Sequence, residues 1–122
     1  MNCNTLIQKY RSLFDPEEII HDETKSCMVW GIECDNGWYD ILDEMMAKIA
    51  SLNLPPEFTF SQIKEKFATL RVYTSYCDER VEKIIEEAEA KSAVTCEICG
   101  KPGTVNQEGW RRCRCVDCET KR

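Results

Sequence analysis

Apolar residues along this chain recur at helical steps in three places and alternate in one. Leu6, Ile7, Tyr10, Leu13 and Phe14 fall three and four positions apart, so they share one helix face, with Asn4 or Thr5 as its cap. Trp38, Ile41, Leu42, Met45, Ile49 and Leu52 make a longer stripe. Asp40, Asp43 and Glu44 lie on the opposite face, and Pro55-Pro56 stops the helix. The third stripe is Val81, Ile84, Ile85 and Ala88, begun by a capping Asp78 and supported by Glu87 and Lys91 four apart. Residues 70–74 alternate with β-branched and aromatic side chains and predict a strand.

Between these lie less regular stretches. Asp15-Pro16-Glu17-Glu18 is a second helix start, with a short helix to about Ile20, His21 at its end and a loop over 22–26. Residues 27–34 are apolar but broken by Gly31, which fits a buried strand or an irregular packed segment. Asp35-Asn36-Gly37 is a turn. Residues 58–67 read either way: the first part alternates, while Ile63 and Phe67 fit a helical turn. A lone strand at 70–74 leaves backbone groups unpaired, so it needs 58–65 or 28–33 beside it. The fold class expected is α+β: a mostly helical body with a small β element over 1–93, and a zinc-ribbon-like lobe over 94–122. Only residues 92–95 separate the last helix from that lobe, so it docks on the body.

The lobe is expected because of its cysteines. Cys96-Glu-Ile-Cys99 and Cys115-Val-Asp-Cys118 are separated by fifteen residues. Two such pairs suit one tetrahedral Zn2+, each tight turn supplying two thiolates. Gly100 follows the first pair, where the backbone often needs glycine's freedom. Two disulfides or four unrelated core cysteines are the alternatives. Cys113 competes with Cys115 for the third position but closes a looser turn. Four thiolates leave a zinc ion no open position for water, so the metal is structural. They also carry an excess of negative charge, which Lys101, Arg111, Arg112 and Arg114 are placed to offset.

Composition narrows the function. The 122 residues carry a net charge of −6. The acidic excess sits in 1–57, while 96–122 lean basic. That argues against broad phosphate binding by the body and leaves the basic tip as the nucleic-acid candidate. No apolar run suits a membrane span or a signal peptide. Nine cysteines without an export signal fit a reducing cytosol. The one histidine, His21, excludes a two-histidine centre. Asp40, Asp43 and Glu44 as a hard-cation site require more assumptions than a solvated acidic face. Cys27, Cys34 and Cys77 have spacings that fit no known metal turn, and buried free cysteine packs as a small hydrophobe.

Three blocks also resemble a known group. They are Trp30-Gly31 with Cys34 and Gly37-Trp38-Tyr39-Asp40; the run Lys64-Glu-Lys-Phe-Ala-Thr-Leu-Arg-Val-Tyr73; and Cys96-Glu-Ile-Cys-Gly-Lys-Pro-Gly103 with Gly109-Trp110 and Cys115-x-x-Cys118. Together the blocks are similar to small, largely uncharacterised proteins encoded by bacteriophages and bacteria. The resemblance implies a phage or bacterial cytosolic origin and no particular activity. Its pattern has glycine where this chain has Ala68, and it favours Cys115 over Cys113. The function expected is a non-enzymatic, zinc-stabilised protein that captures a host protein, its acidic surface at Glu33, Asp35, Asp40, Asp43 and Glu44 meeting a basic partner. The alternative is nucleic-acid binding by Trp110, Arg111, Arg112 and Arg114.

Overall fold

The computed structural model describes residues 3–14, 32–75, 78–106, 109 and 111–120. The short helix expected at 15–20, the loop at 22–26 and most of the apolar stretch from 27 lie outside the described residues, as do His21, Cys27, Cys77 and Trp110. The first stripe forms α1 (Cys3–Lys9) and a 3-10 turn (Arg11–Leu13). The helix begins at Cys3, ahead of the caps expected at Asn4 or Thr5. Leu6, Ile7, Leu13 and Phe14 are all buried, so the apolar face is the one the spacing gives.

The longest stripe forms α2 (Tyr39–Ala50), entered through a 3-10 turn (Asn36–Trp38). Trp38, Leu42, Met46 and Ile49 are fully buried along it. The helix stops before Pro55 and Pro56. Asn53 turns the chain out of it with φ 53°, a left-handed conformation that asparagine tolerates better than most residues. α3 (Glu79–Ser92) begins as expected, with the Asp78 carboxylate accepting from the Arg80 N–H at 2.8 Å. It buries Val81, Ile85 and Ala88.

The ambiguous 58–67 segment is a strand. β2 (Phe60–Lys66) pairs antiparallel with β3 (Thr69–Thr74). β1 (Ile32–Glu33) runs parallel to β2 on its other side, giving the order β1-β2-β3. Both candidate partners for the 70–74 strand therefore join one sheet, with the 58–65 segment in the middle. Phe67 and Ala68 form the two-residue turn, at φ 53° and 70°. Positive φ at both positions marks the tight turn whose twist suits a hairpin, normally built with asparagine and glycine. Ala68 thus keeps the turn without the usual glycine. Its N–H is held by the Glu65 carboxylate at 2.8 Å.

β3 is an edge strand, and α3 closes that edge. The Leu70 N–H donates to Ser92 Oγ at 2.8 Å, and the Val72 N–H reaches Glu89 Oε2 at 3.4 Å. Ser92 is fully buried, and its hydroxyl donates to the Glu89 carbonyl at 2.6 Å. Helix side chains thus answer backbone donors that would otherwise lie unpaired. Ile32, Ile63, Leu70 and Val72 point from the sheet into the common core. The architecture is α+β, and among the described residues no helix is long and apolar enough to cross a membrane.

After α3 the chain forms a two-stranded hairpin, β4 (Thr104–Val105) with β5 (Cys113–Arg114), and ends in α4 (Val116–Thr120). This segment is bonded directly to the start of α2. The Gly37 N–H donates to the Glu97 carbonyl at 2.6 Å, and the Trp38 indole N–H donates to the Thr95 carbonyl at 2.9 Å. A side-chain carbon on Gly37 would overlap the Cys96 carbonyl and the Glu97 backbone. Gly37 therefore serves the contact with the C-terminal segment, in addition to the turn its sequence announces.

Two substitutions test these contacts. Ser92→Ala leaves the buried Leu70 N–H without an acceptor and is expected to lower unfolding free energy by about 1–3 kcal/mol. Gly37→Ala forces two backbones apart and is expected to cost about 3 kcal/mol, with loosened near-ultraviolet signal from Trp38. Chemical denaturation of each variant checks both values.

Candidate metal centre

Two chain reversals bring the four sulfurs together. In the first, the Gly100 N–H bonds back to the Cys96 carbonyl at 2.9 Å while the Cys96 N–H donates to the Lys101 carbonyl at 2.7 Å. Gly100 has φ 85°, a conformation that glycine takes without strain. In the second, the Cys118 N–H points at Cys115 Sγ from 3.4 Å. Sγ of Cys96, Cys99, Cys115 and Cys118 all lie within 4.8 Å of one another. Cys99 and Cys115 come to 3.5 Å, within hydrogen-bond distance for thiols, and form no disulfide. Zinc–sulfur bonds of about 2.3 Å imply tetrahedron edges of about 3.8 Å, so one ion fits this group.

The alternatives drawn from sequence separate cleanly. Cys34, Cys96, Cys99, Cys113, Cys115 and Cys118 are free thiols, so the two pairs do not form disulfides. Cys113 is fully buried on β5, and its thiol leans toward the Ala93 carbonyl at 3.4 Å. It packs as a small apolar group, outside the ligand cluster.

Electrostatics explain why the cluster wants a cation. Burial opposes ionisation of Cys96, yet backbone N–H groups of Cys115, Cys99 and Ile98, with the Cys99 thiol, more than offset it and bring its pKa to about 6. Cys118 is pushed up to about 12, by desolvation first and then by the three neighbouring sulfurs. Four thiolates at such distances repel one another. A dication held by the four sulfurs would replace that repulsion with attraction, and its binding would release the remaining protons.

Glu97, between the first two cysteines, was not foreseen from the sequence. It is buried, and its Oε2 accepts from the Asp35 N–H at 3.2 Å. Desolvation raises its pKa to about 7; the Asp35 N–H and Arg114 draw it down, while the Asp35 and Glu65 carboxylates add to the rise. The only sequence signal was its position inside the Cys96–Cys99 turn, where a side chain can face either the metal or the body. Cys34 is held protonated as well: burial, then Glu97, Asp35 and Glu65, push its pKa up to about 12. A soft-metal site joining Cys34 to Cys27 and Cys77 falls partly outside the described residues.

The acidic residues singled out from sequence are not one free surface. Glu33 lies on β1, its side chain outside the described residues, while Asp35 and Asp40 are exposed. Asp43 is engaged: Lys9 bonds it at 2.9 Å and the Tyr10 hydroxyl at 2.5 Å. Those two donors, Tyr10 first, lower its pKa. Glu44 lies between Lys48 at 3.1 Å and Lys91 at 2.9 Å, and both lysines also reach Glu87. Asp40, Asp43 and Glu44 form no metal-ligand group; among the described residues that is the four cysteines.

The basic tip is mixed too. Arg111 is exposed and donates to the Asn106 carbonyl at 2.5 Å; Arg112 is half-buried with its N–H on Asn106 Oδ1 at 2.7 Å. Arg114 is half-buried, its Nε without an acceptor. Trp110 falls outside the described residues.

No protein-family model, curated protein or solved structure matches this chain.

The two competing cysteines make the test. Cys115→Ser is expected to drop bound metal from about one ion per chain toward zero. It should also unfold the C-terminal segment, since a structural zinc site can supply on the order of 10 kcal/mol. Cys113→Ser should keep the metal. Elemental analysis of both purified variants decides between them.

Proposed function

We propose that this chain is a non-enzymatic binding protein built on one structural Zn2+, its residues 94–122 forming a zinc-ribbon-like lobe. The observation that carries this reading is the closed set of four sulfurs. Soft thiolates in a tetrahedron favour zinc, and a full set of four leaves no position for a reacting water. Zinc here would be held by Cys96, Cys99, Cys115 and Cys118 and would act as a cross-link between two turns. The phage and bacterial resemblance, together with the free thiols, supports a cytoplasmic setting, the host's cytoplasm for a phage product.

The ligand is argued from charge. Of the acidic residues expected to meet a host protein, Asp43 and Glu44 are tied to lysines of the same chain. Arg111, by contrast, is exposed at the tip of the metal segment. Arg111, with the half-buried Arg112 and Arg114, makes this tip locally cationic on a chain that is acidic as a whole. That local charge favours an anionic ligand at the tip, and we take that ligand to be nucleic acid. A host protein with a basic face is the second reading. It is favoured by the net charge of −6 and by the exposed Asp35 and Asp40.

Electrophoretic mobility shift separates the two. The zinc-loaded protein is expected to shift nucleic acid at low salt and to release it steeply as salt rises, with Arg111→Glu weakening the shift. The double variant Asp35→Lys, Asp40→Lys should bind no less tightly. Absence of any shift at low salt would transfer the function to the acidic face.

A further inference from the structure

The outer face of the sheet carries the cations Lys64, Lys66 and Arg71, with Glu33, whose side chain lies outside the described ones, beside Lys64 on β1. Ile63 and Val72 pair across β2 and β3 and point inward; the next pair, Lys64 opposite Arg71, points outward. Like charges directly opposite each other destabilise a sheet. Four cations elsewhere in the chain are paired: Lys9 with Asp43, Lys48 and Lys91 with Glu44 and Glu87, and Arg80 with Asp78. Among the described side chains no carboxylate pairs with Lys64, Lys66 or Arg71. The Arg71 Nε is shielded from solvent and has no acceptor.

Aromatic rings interleave with these cations. Tyr73 is 45% exposed, with Lys64 Nζ 5.9 Å from its ring centre. Phe67 is 70% exposed at the hairpin tip, with Lys66 Nζ at 5.8 Å. Phe67 also sits at φ 53°, where a bulky residue is rare and strained. Its ring is mostly in solvent, so core packing does not repay that strain. The hairpin turn accounts for that backbone and holds the ring out at the tip. A cleft of about 340 Å³ opens beside it, lined by Glu65, Lys66, Phe67, Gly109 and Arg111. It joins the sheet face to the tip of the metal segment.

We propose that this face is a groove for single-stranded nucleic acid, an inference that rests on the nucleic-acid reading above and moves its centre from the tip onto the sheet. Bases stack on Phe67 and Tyr73; phosphates meet Lys64, Lys66, Arg71 and Arg111. Exposed rings among cations are the recognition chemistry of unpaired strands, because a duplex hides its base faces. At about 3.3 Å per residue, Tyr73 and Thr69 are about 13 Å apart along β3, with Phe67 beyond, a span that suits a few nucleotides. Four cations on a chain of net charge −6 are also too few to hold duplex backbone strongly.

Fluorescence anisotropy of a labelled twelve-residue oligothymidylate tests this on the zinc-loaded protein at low salt. A duplex of equal length and a polyglutamate peptide serve as competitors. The single strand is expected to bind best, with log affinity falling against log salt at a slope of about −2 to −3, as four phosphate contacts require. Phe67→Ala and Tyr73→Ala should each weaken binding about tenfold, while Phe67→Trp should retain it. The double variant Lys64→Ala, Arg71→Ala should flatten the slope by about 1 to 1.5. Lys83→Ala, exposed on α3, should change nothing. Circular dichroism and zinc content confirm that each variant is folded. Loss of binding on Arg111→Glu with none on the aromatic variants would overturn the sheet-face groove and leave the tip reading standing. Polyglutamate competing as well as oligothymidylate would overturn the groove as a nucleic-acid site. No binding by either nucleic acid would sink the groove and the nucleic-acid reading together.

Discussion

Four sulfurs meeting at one point are the constraint on which the C-terminal quarter depends. That segment has two-residue strands and a five-residue helix. Elements so short bury too little apolar surface to offset the entropy of ordering them. Its side of the core includes Cys113, with Val105 packed against the edge. The cluster also orients the body. The turn carrying Cys96 and Cys99 presents the Glu97 carbonyl to Gly37, at the entry to α2. A cation that fixes the turn therefore fixes one end of the central helix.

The helices were legible because their apolar spacing is long and unbroken: α2 and α3 bury the stripes that their sequences display. The metal ligands were legible for a different reason. A Cys-x-x-Cys turn is local, so its spacing encodes geometry without knowledge of the fold, and this separated Cys115 from Cys113. What could not be read depends on tertiary approach. The start of 58–67 alternates like a strand while Ile63 and Phe67 fit a helical turn, and the hairpin that decides between them turns on Phe67-Ala68, without the glycine or asparagine that normally signals such a turn. Ser92 closing the edge of β3, and Glu97 bonding Asp35, require partners 22 and 62 positions away. The stop of α2 was assigned to the prolines, but Asn53 acts first.

Charge has to be read locally. An acid-rich chain suggests an anionic surface, yet Asp43 and Glu44 of α2 and Glu87 of α3 are spent on Lys9, Lys48 and Lys91. Among the described side chains, the cations on the outer sheet face have no such partners. Net charge counts groups, whereas a ligand meets only those that the fold leaves unpaired. On that view the −6 of the chain is compatible with a local site for an anion, provided the site is compact and aromatic stacking supplements the electrostatics.

All of this rests on a metal held by sulfur alone. X-ray absorption at the zinc edge of the purified protein addresses it directly. The account predicts four sulfur neighbours at about 2.3 Å and no nitrogen or oxygen in the first coordination sphere. A shell with a water oxygen or with fewer than four sulfurs, or the absence of zinc, would contradict it.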